Sequence, residues 1–222
     1  MMAWTSMLPD LEPVIAKALV ELVGARYPVS RNYQILKKNC PELVFEKESK
    51  EWVFFGGSFN PWHSGHQACL NLLPQDKTCF ILPDINPHKE LRDFDLVSSV
   101  LELSSKARFS SNQFLVPSFL VDNVKNPTVV WIEKLHQNFP DKKLSLLIGF
   151  DSFSNIFTWT RAQDLLSNLH CLYVVSRQET DDMKKETVLK IQKIAPDLEI
   201  VFLGRHEHEE ISSSKIRKKK GG

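Results

Sequence analysis

Six short apolar runs follow one another from Glu51 onward: WVFFGG, TCFILP, NQFLVP, LSLLIGF, HCLYVVSR and LEIVFLG. Each is rich in β-branched or aromatic residues and is bounded by turn formers, the pattern of strands buried on both faces. Stretches of helical periodicity lie between them. One follows the turn after WVFFGG, and another starts near Asp93 with Leu96, Val100 and Leu103 on one face. The rest cover PTVVWIEKLHQNF, where Pro127 suits a first turn, RAQDLLSN and DDMKKETVLKIQKI. Doubly apolar strands that alternate with helices require a parallel sheet covered on both sides. Right-handed crossovers then wind it both ways. The expectation is an α/β protein built on a doubly wound parallel sheet of five or six strands. Ligands in such sheets bind beyond the carboxyl ends of the strands, near the point where the strand order reverses.

Residues 1–50 depart from this alternation. PDLEPVIAKALVELVG reads as an amphipathic helix, with Asp10 at its cap, Leu11, Ile15, Ala18, Leu19 and Leu22 on one face, and Gly24 at its end. A second short helix is expected after Ser30. The chain therefore divides into an N-terminal helical extension, 1–50, and a sheet domain, 51–222. The extension reads as packing on the sheet; a lid, a regulatory piece or a contact within a homo-oligomer is the functional alternative. Hydrophobic residues make up 42% of the chain, enough for a sizeable core, and the net charge is +1. That balance exerts no general pull on nucleic acid or on a membrane surface, so any anion site has to be local. Cys40, Cys69, Cys79 and Cys171 are spread without a CxxC spacing and read as reduced, packed thiols of a cytoplasmic protein. No run approaches the ~20 apolar residues of a membrane span.

One turn stands out chemically. VFFGGSFNPWHSGHQACL leads an apolar run into Gly56 and Gly57, then a proline loop, then two histidines three residues apart where a helix should begin. The glycines let the backbone turn and let a ligand approach the main chain. Ser64 is the expected N-cap. A helix start offers unpaired N–H groups and a partial positive charge, which together attract phosphate. His63 and His66 can face one pocket and donate hydrogen bonds to phosphoryl oxygens. No Cys or further His stands at a zinc-ligand spacing nearby, so no protein-held metal is expected here. Near the other end, Ser212, Ser213 and Ser214 precede KIRKKK, a second helix start with cations beside it. Arg217 can grip phosphate oxygens in a bidentate manner. Gly149 and Asp151 follow the fourth strand. The first permits close approach of a nucleotide, and the second can accept from a ribose hydroxyl. Arg177, just past the fifth strand, reads either as a phosphate or base contact or as a partner of Asp181. His206 and His208 read as part of a solvated loop.

These segments resemble a known family. GGSFNPWHSGH is similar to the nucleotide-binding signature of the HxGH nucleotidyltransferase superfamily, which places Gly56, Gly57, Ser58 and Phe59 at ATP. ISSSKIR, from Ile211 to Arg217, resembles that superfamily's ISSTxIR motif. ILPDINPHK resembles the P…PHK segment of the nicotinate mononucleotide adenylyltransferases, and LLIGFDSFSNIFTWTRAQDLL resembles their GxD…W segment. The likeness spans residues 52–217 in the right order.

The resemblance implies a Rossmann-like domain and adenylyl transfer from ATP to nicotinate mononucleotide, a step of NAD biosynthesis. Nicotinamide mononucleotide or another phosphate acceptor is the alternative within the superfamily. A nucleotide-binding sensor that has lost catalysis is the alternative from another class. His63, His66 and Arg217 would be catalytic. Gly149, Asp151, Ser213 and Ser214 would complete the ATP site. Lys89, Trp159 and Arg177 would meet the acceptor, Trp159 by stacking on its pyridine ring. Mg²⁺ would be bound mainly through the ATP phosphates.

Overall fold

The strand that carries the double glycine lies inside the sheet and orders everything around it. The computed structural model describes residues 49–83, 103, 105–110, 112–115 and 127–220. The helices expected within residues 1–50, most of the one expected from Asp93, and Lys89 lie outside these. β1 (Glu51–Gly57) is flanked by β2 (Thr78–Pro83) and β4 (Lys143–Gly149). β3 (Gln113–Leu115) continues beyond β2, and β5 (Cys171–Val175) and β6 (Glu199–Phe202) continue beyond β4. The order β3-β2-β1-β4-β5-β6 is parallel at every neighbouring pair. Six apolar runs thus give six strands of a doubly wound sheet. The order reverses between β1 and β4, so a crevice opens at their carboxyl ends, where Gly57 and Gly149 stand.

Alternation within the strands supplies a core on each face. Trp52, Phe54, Phe80, Leu82, Leu146, Ile148, Leu172 and Val174 belong to one buried cluster. Val53, Phe55, Cys79, Ile81, Leu147, Tyr173 and Val175 belong to the other. Each large apolar side chain removed from water contributes roughly 1.5–3 kcal/mol, so runs of this composition are driven inside on both faces. α1 (Ser64–Leu72) seals the second face with Cys69 and Leu70. α2 (Thr128–Asn138) seals the first, where Trp131 meets Phe54 edge-on with ring centroids 4.9 Å apart. α3 (Phe150–Ser154), α4 (Ala162–Ser167) and α5 (Asp181–Gln192) pack on that same face through Phe153, Leu165 and Ile191. Thr180 caps α5 by accepting from the Met183 N–H at 3.3 Å, and Asp181 and Asp182 complement the helix dipole. α6 (Ser213–Lys220) closes the described chain. Among the described residues no helix is long and apolar enough to cross a membrane.

The amino ends of the strands hold a buried carboxylate. Glu51 accepts from Ser145 Oγ at 2.6 Å, Tyr173 OH at 3.0 Å and Lys77 Nζ at 2.8 Å, which joins β1, β4, β5 and the approach to β2. Burial alone would raise its pKa, but these three donors outweigh it and hold the carboxyl below its usual range. The cysteines Cys69, Cys79 and Cys171 are free and buried, as expected of packed thiols. Burial pushes the Cys69 thiol up to about 11 and the Cys79 thiol higher still.

Candidate active site

The turn after β1 is built around Phe59. Its φ of 44° is left-handed, a costly conformation for a bulky residue. It folds the ring back under Gly57, where an added Cβ would lie 3.0 Å from Phe59 Cε1. Glycine is needed at position 57 because the aromatic ring fills that space. Nothing lies within 4 Å of a Cβ at Gly56, which leaves the strand end open to a ligand. Both glycines belong to β1 itself, so the tight turn expected of them falls instead on Phe59. Phe59 lines the cleft but is only 2% exposed, its ring packed on Phe55, Trp62 and His66 at 5.1, 5.2 and 5.0 Å.

α1 begins one residue from the place expected. His63, not Ser64, holds the N-cap position, with extended φ −148° and ψ 169°. Its carbonyl accepts from the N–H groups of His66 and Gln67 at 2.9 and 3.3 Å. The main chain does the capping, and the imidazole is left for the cleft. His63 and His66 then stack, with centroids 3.7 Å apart and 21° between planes. Burial, and next the nearby Arg177 guanidinium, depress the His63 pKa to about 4. Burial in the aromatic sleeve, followed by the charge of His63 itself, depresses His66 to about 3. Both rings are therefore neutral at physiological pH, each with one N–H to donate. Nδ1 of each ring is buried with no hydrogen-bond partner among the described residues, a costly state that leaves Nε2 as the ring nitrogen free to serve the cleft.

The serine cluster reaches the same loop from the far end of the chain. Ser213 Oγ donates to the Pro61 carbonyl at 3.1 Å, and Arg217 donates to the Asn60 carbonyl. Ser212 Oγ accepts from the Lys215 N–H at 3.2 Å and caps α6, as serines there were expected to do. Arg217 also donates to Ser214 Oγ at 3.2 Å. Two helix starts far apart in sequence thus converge on one crevice.

That crevice has a volume of about 460 Å³ and runs along the carboxyl edge from the histidines past β4. Ser58, Gly149, Asp151, Trp159, Arg177, Ser213, Ser214 and Arg217 line it together with Gly56, Gly57, His63 and His66. Trp159 is half-buried and packed against the core while one side meets the cleft. Arg177 pairs with Asp151 at 3.0 Å rather than with Asp181. Gly149 and Val175 are in register on β4 and β5, so the residues just beyond them meet across the sheet edge. Asp151 is the carboxylate that lines the cleft among the described residues, and these residues include no group of three metal-ligating side chains.

Two features escaped the sequence reading. The loop carrying His206 and His208 is not simply solvated. His206 Nδ1 accepts the His208 N–H at 3.1 Å, and its Nε2 lies 3.9 Å from Cys69 Sγ, which braces the approach to α6 against α1. The His208 carbonyl lies 3.4 Å from where a Gly65 Cβ would be, so this glycine permits the approach. Glu179 is the second, a buried carboxylate in a run of charges; nothing in RQETDD distinguishes it from its solvated neighbours.

The chain is similar to known proteins. The family model described as cytidylyltransferase-like matches residues 54–219. A protein of Leptospira interrogans named "Probable nicotinate-nucleotide adenylyltransferase" is 31% identical over 130 residues, covering 55% of this chain and 65% of the relative. One of the same name from Bacteroides thetaiotaomicron is 32% identical over 50% of this chain and 58% of its own length. The chain thus spans under two thirds of either relative. A third of that name, from Caldicellulosiruptor bescii, is 27% identical over 75% of this chain and 84% of its length. Among solved structures, the Plasmodium falciparum nicotinic acid mononucleotide adenylyltransferase complexed with NaAD shares the fold, with a TM-score of 0.59 at 18% identity over 76% of this chain and 82% of its own. Since the family model takes in both helix starts and every strand from Phe54 to β6, the chain belongs to the cytidylyltransferase-like family.

Proposed function

We propose that the protein is an adenylyltransferase that moves AMP from ATP to nicotinate mononucleotide, giving the deamido-NAD dinucleotide and pyrophosphate. One observation carries this reading: the neutral His63–His66 stack and the α6 start, tied to each other through Pro61 and Asn60, face a single cleft. The names of the Leptospira, Bacteroides and Caldicellulosiruptor relatives agree with it.

The acceptor's 5′-phosphate oxygen attacks the α-phosphorus of ATP in line. A new P–O bond forms as the bond from the α-phosphorus to the bridging oxygen breaks, and pyrophosphate leaves with the electron pair. The nucleophile is already charged, so no general base and no covalent intermediate is needed; positioning and charge stabilisation suffice. His63 and His66 donate to oxygens of the reacting phosphates. Arg217 and the N–H groups by Ser213 and Ser214 hold the β- and γ-phosphates. The backbone at Gly56, Gly57, Ser58 and Gly149, open at Gly56, admits the nucleotide, with Asp151 toward its ribose. Trp159 stacks on the pyridine ring, and Lys89 and Arg177 meet the acceptor phosphate. Mg²⁺ bound to the ATP phosphates supplies further countercharge; a cleft with Asp151 as its described carboxylate suits a cation carried mainly by substrate. Buried free thiols accord with a cytoplasmic setting.

The test is direct. Protein, ATP, Mg²⁺ and nicotinate mononucleotide should release pyrophosphate and form the dinucleotide, with nicotinamide mononucleotide as the competing acceptor. ATP binding without pyrophosphate release would replace the enzyme with a nucleotide sensor.

A further inference from the structure

The loop between β5 and α5 holds a carboxylate that no substrate contact explains. The Glu179 side chain is 1% exposed. One of its oxygens accepts the main-chain N–H of Arg177 at 2.6 Å, and the other lies 3.2 Å from Lys184 Nζ on α5. The Arg177 N–H and the Lys184 charge offset its burial, although Oε1 makes no hydrogen bond among the described residues. Burial raises its pKa, but the Arg177 N–H and its other donors more than offset this, so the group is held ionised.

Arg177 is what this carboxylate grips. The Arg177 main chain sits just past the carboxyl end of β5, and its guanidinium crosses to Asp151 at 3.0 Å. Its Nε would lie 3.9 Å from a Cβ at Gly149. Asp151 is 73% exposed, and an ion pair so open to water fixes little. The base of the side chain is held far better than its tip. Beyond Arg177, the Ser176 N–H donates to the Gly204 carbonyl at 2.8 Å, and Gln178 donates to Glu210. The loop is thus anchored to the segment that leads into α6, with Glu179 tightening it from inside.

We infer that Glu179 is a positioning residue: by clamping the Arg177 amide it aims the guanidinium at the acceptor phosphate in the cleft. The inference rests on the proposed function. Its experiment is a mutant cycle read by titration calorimetry with nicotinate mononucleotide and separately with ATP, alongside pyrophosphate release. Glu179→Leu keeps bulk but removes the acceptor oxygen. It should weaken nicotinate mononucleotide binding about tenfold, the scale of one charge-assisted contact, and leave ATP binding within about threefold. Glu179→Gln retains an oxygen for the Arg177 N–H and should restore binding. Lys184→Met, which removes the ion pair but not the acceptor oxygen, should leave nicotinate mononucleotide binding within about threefold of wild type while costing stability. In an Arg177→Ala background, Glu179→Leu should cost nothing further, as residues acting through one another are not additive. Should Glu179→Leu fail to fold, Glu179→Asp takes its place, with the charge kept and the oxygen drawn back by one methylene. A full loss in the Arg177→Ala background, or a Lys184→Met loss equal to that of Glu179→Leu, would reduce Glu179 to a brace for α5. Wild-type protein that binds neither nucleotide would overturn the proposed function and this inference together; normal wild-type turnover with an additive cycle would overturn this inference alone.

Discussion

His63 and His66 lie ring over ring at 3.7 Å, a separation that two imidazolium cations would not share. The pair is thus held neutral, and in the proposed reaction it would serve as a donor surface for an arriving phosphate.

His66→Ala should lower kcat on the order of 10²-fold or more, the loss expected for a preorganised donor to developing charge. ATP affinity should change far less. Initial rates of pyrophosphate release against ATP concentration measure both, and near wild-type turnover would remove His66 from the chemistry.

The same pair makes stability fall with acid. Above pH 6.5 both imidazoles are neutral in the folded and the unfolded chain alike. Below it the unfolded chain takes up protons that the folded one refuses until about pH 4 for His63 and about pH 3 for His66. Stability is therefore complete above pH 6.5 and is lost as pH falls through that window, His66, the more buried ring, contributing more of the loss. Urea midpoints from pH 7 to 4 should drop more steeply for wild type than for a His63→Asn, His66→Asn double variant. Parallel slopes would contradict the burial of these rings.

Gly65→Ala should separate activity from stability. A Cβ there comes within 3.1 Å of the His63 ring, so the stack has to shift by a few tenths of an ångström. Alanine meanwhile improves a helical position by up to roughly 1 kcal/mol. Turnover should fall about tenfold through misplacement of the donor, with melting temperature unchanged or higher. A fall in both would assign the glycine to packing alone.

At the opposite edge, Glu51→Ala should do the reverse. It strands Ser145, Tyr173 and Lys77 without their shared acceptor and should cost about 3 kcal/mol, as when one partner of a buried pair is removed. KM values should hold wherever the variant is folded. Denaturant unfolding with Glu51→Gln as the milder comparison checks it.

Trp159→Ala should weaken nicotinate mononucleotide binding more than ATP binding, since one side of the indole meets the cleft beyond Asp151. Equal weakening would make Trp159 a core residue that merely touches the cavity.

The strands were legible because each is apolar on both faces, a signal that packing enforces and no neighbour overrides. The two helix starts were legible because glycine, proline and serine in a short span at the first, and a run of serines at the second, mark the turn into a helix. What the sequence hid depends on distance in space. Arg177 meets Asp151 through the β4–β5 register, whereas proximity along the chain favoured Asp181. Ser64 has the better capping side chain, yet the extended His63 backbone takes that place. His206 reaches Cys69 from 137 positions away. Glu179 looked like any other charge in its loop, since only the fold decides which carboxylate of several is enclosed.

The three enclosed sulfhydryls have a practical consequence. Cys79 sits in β2, Cys171 in β5 and Cys69 beside the cleft, all protonated and shielded. An alkylating reagent can reach Cys79 and Cys171 only when the sheet opens, so labelling there clocks spontaneous opening, whereas Cys69 also lines the cleft. The rate at Cys69, compared with that at Cys79, would distinguish direct cover of the cleft by a nucleotide from quieting of the whole domain.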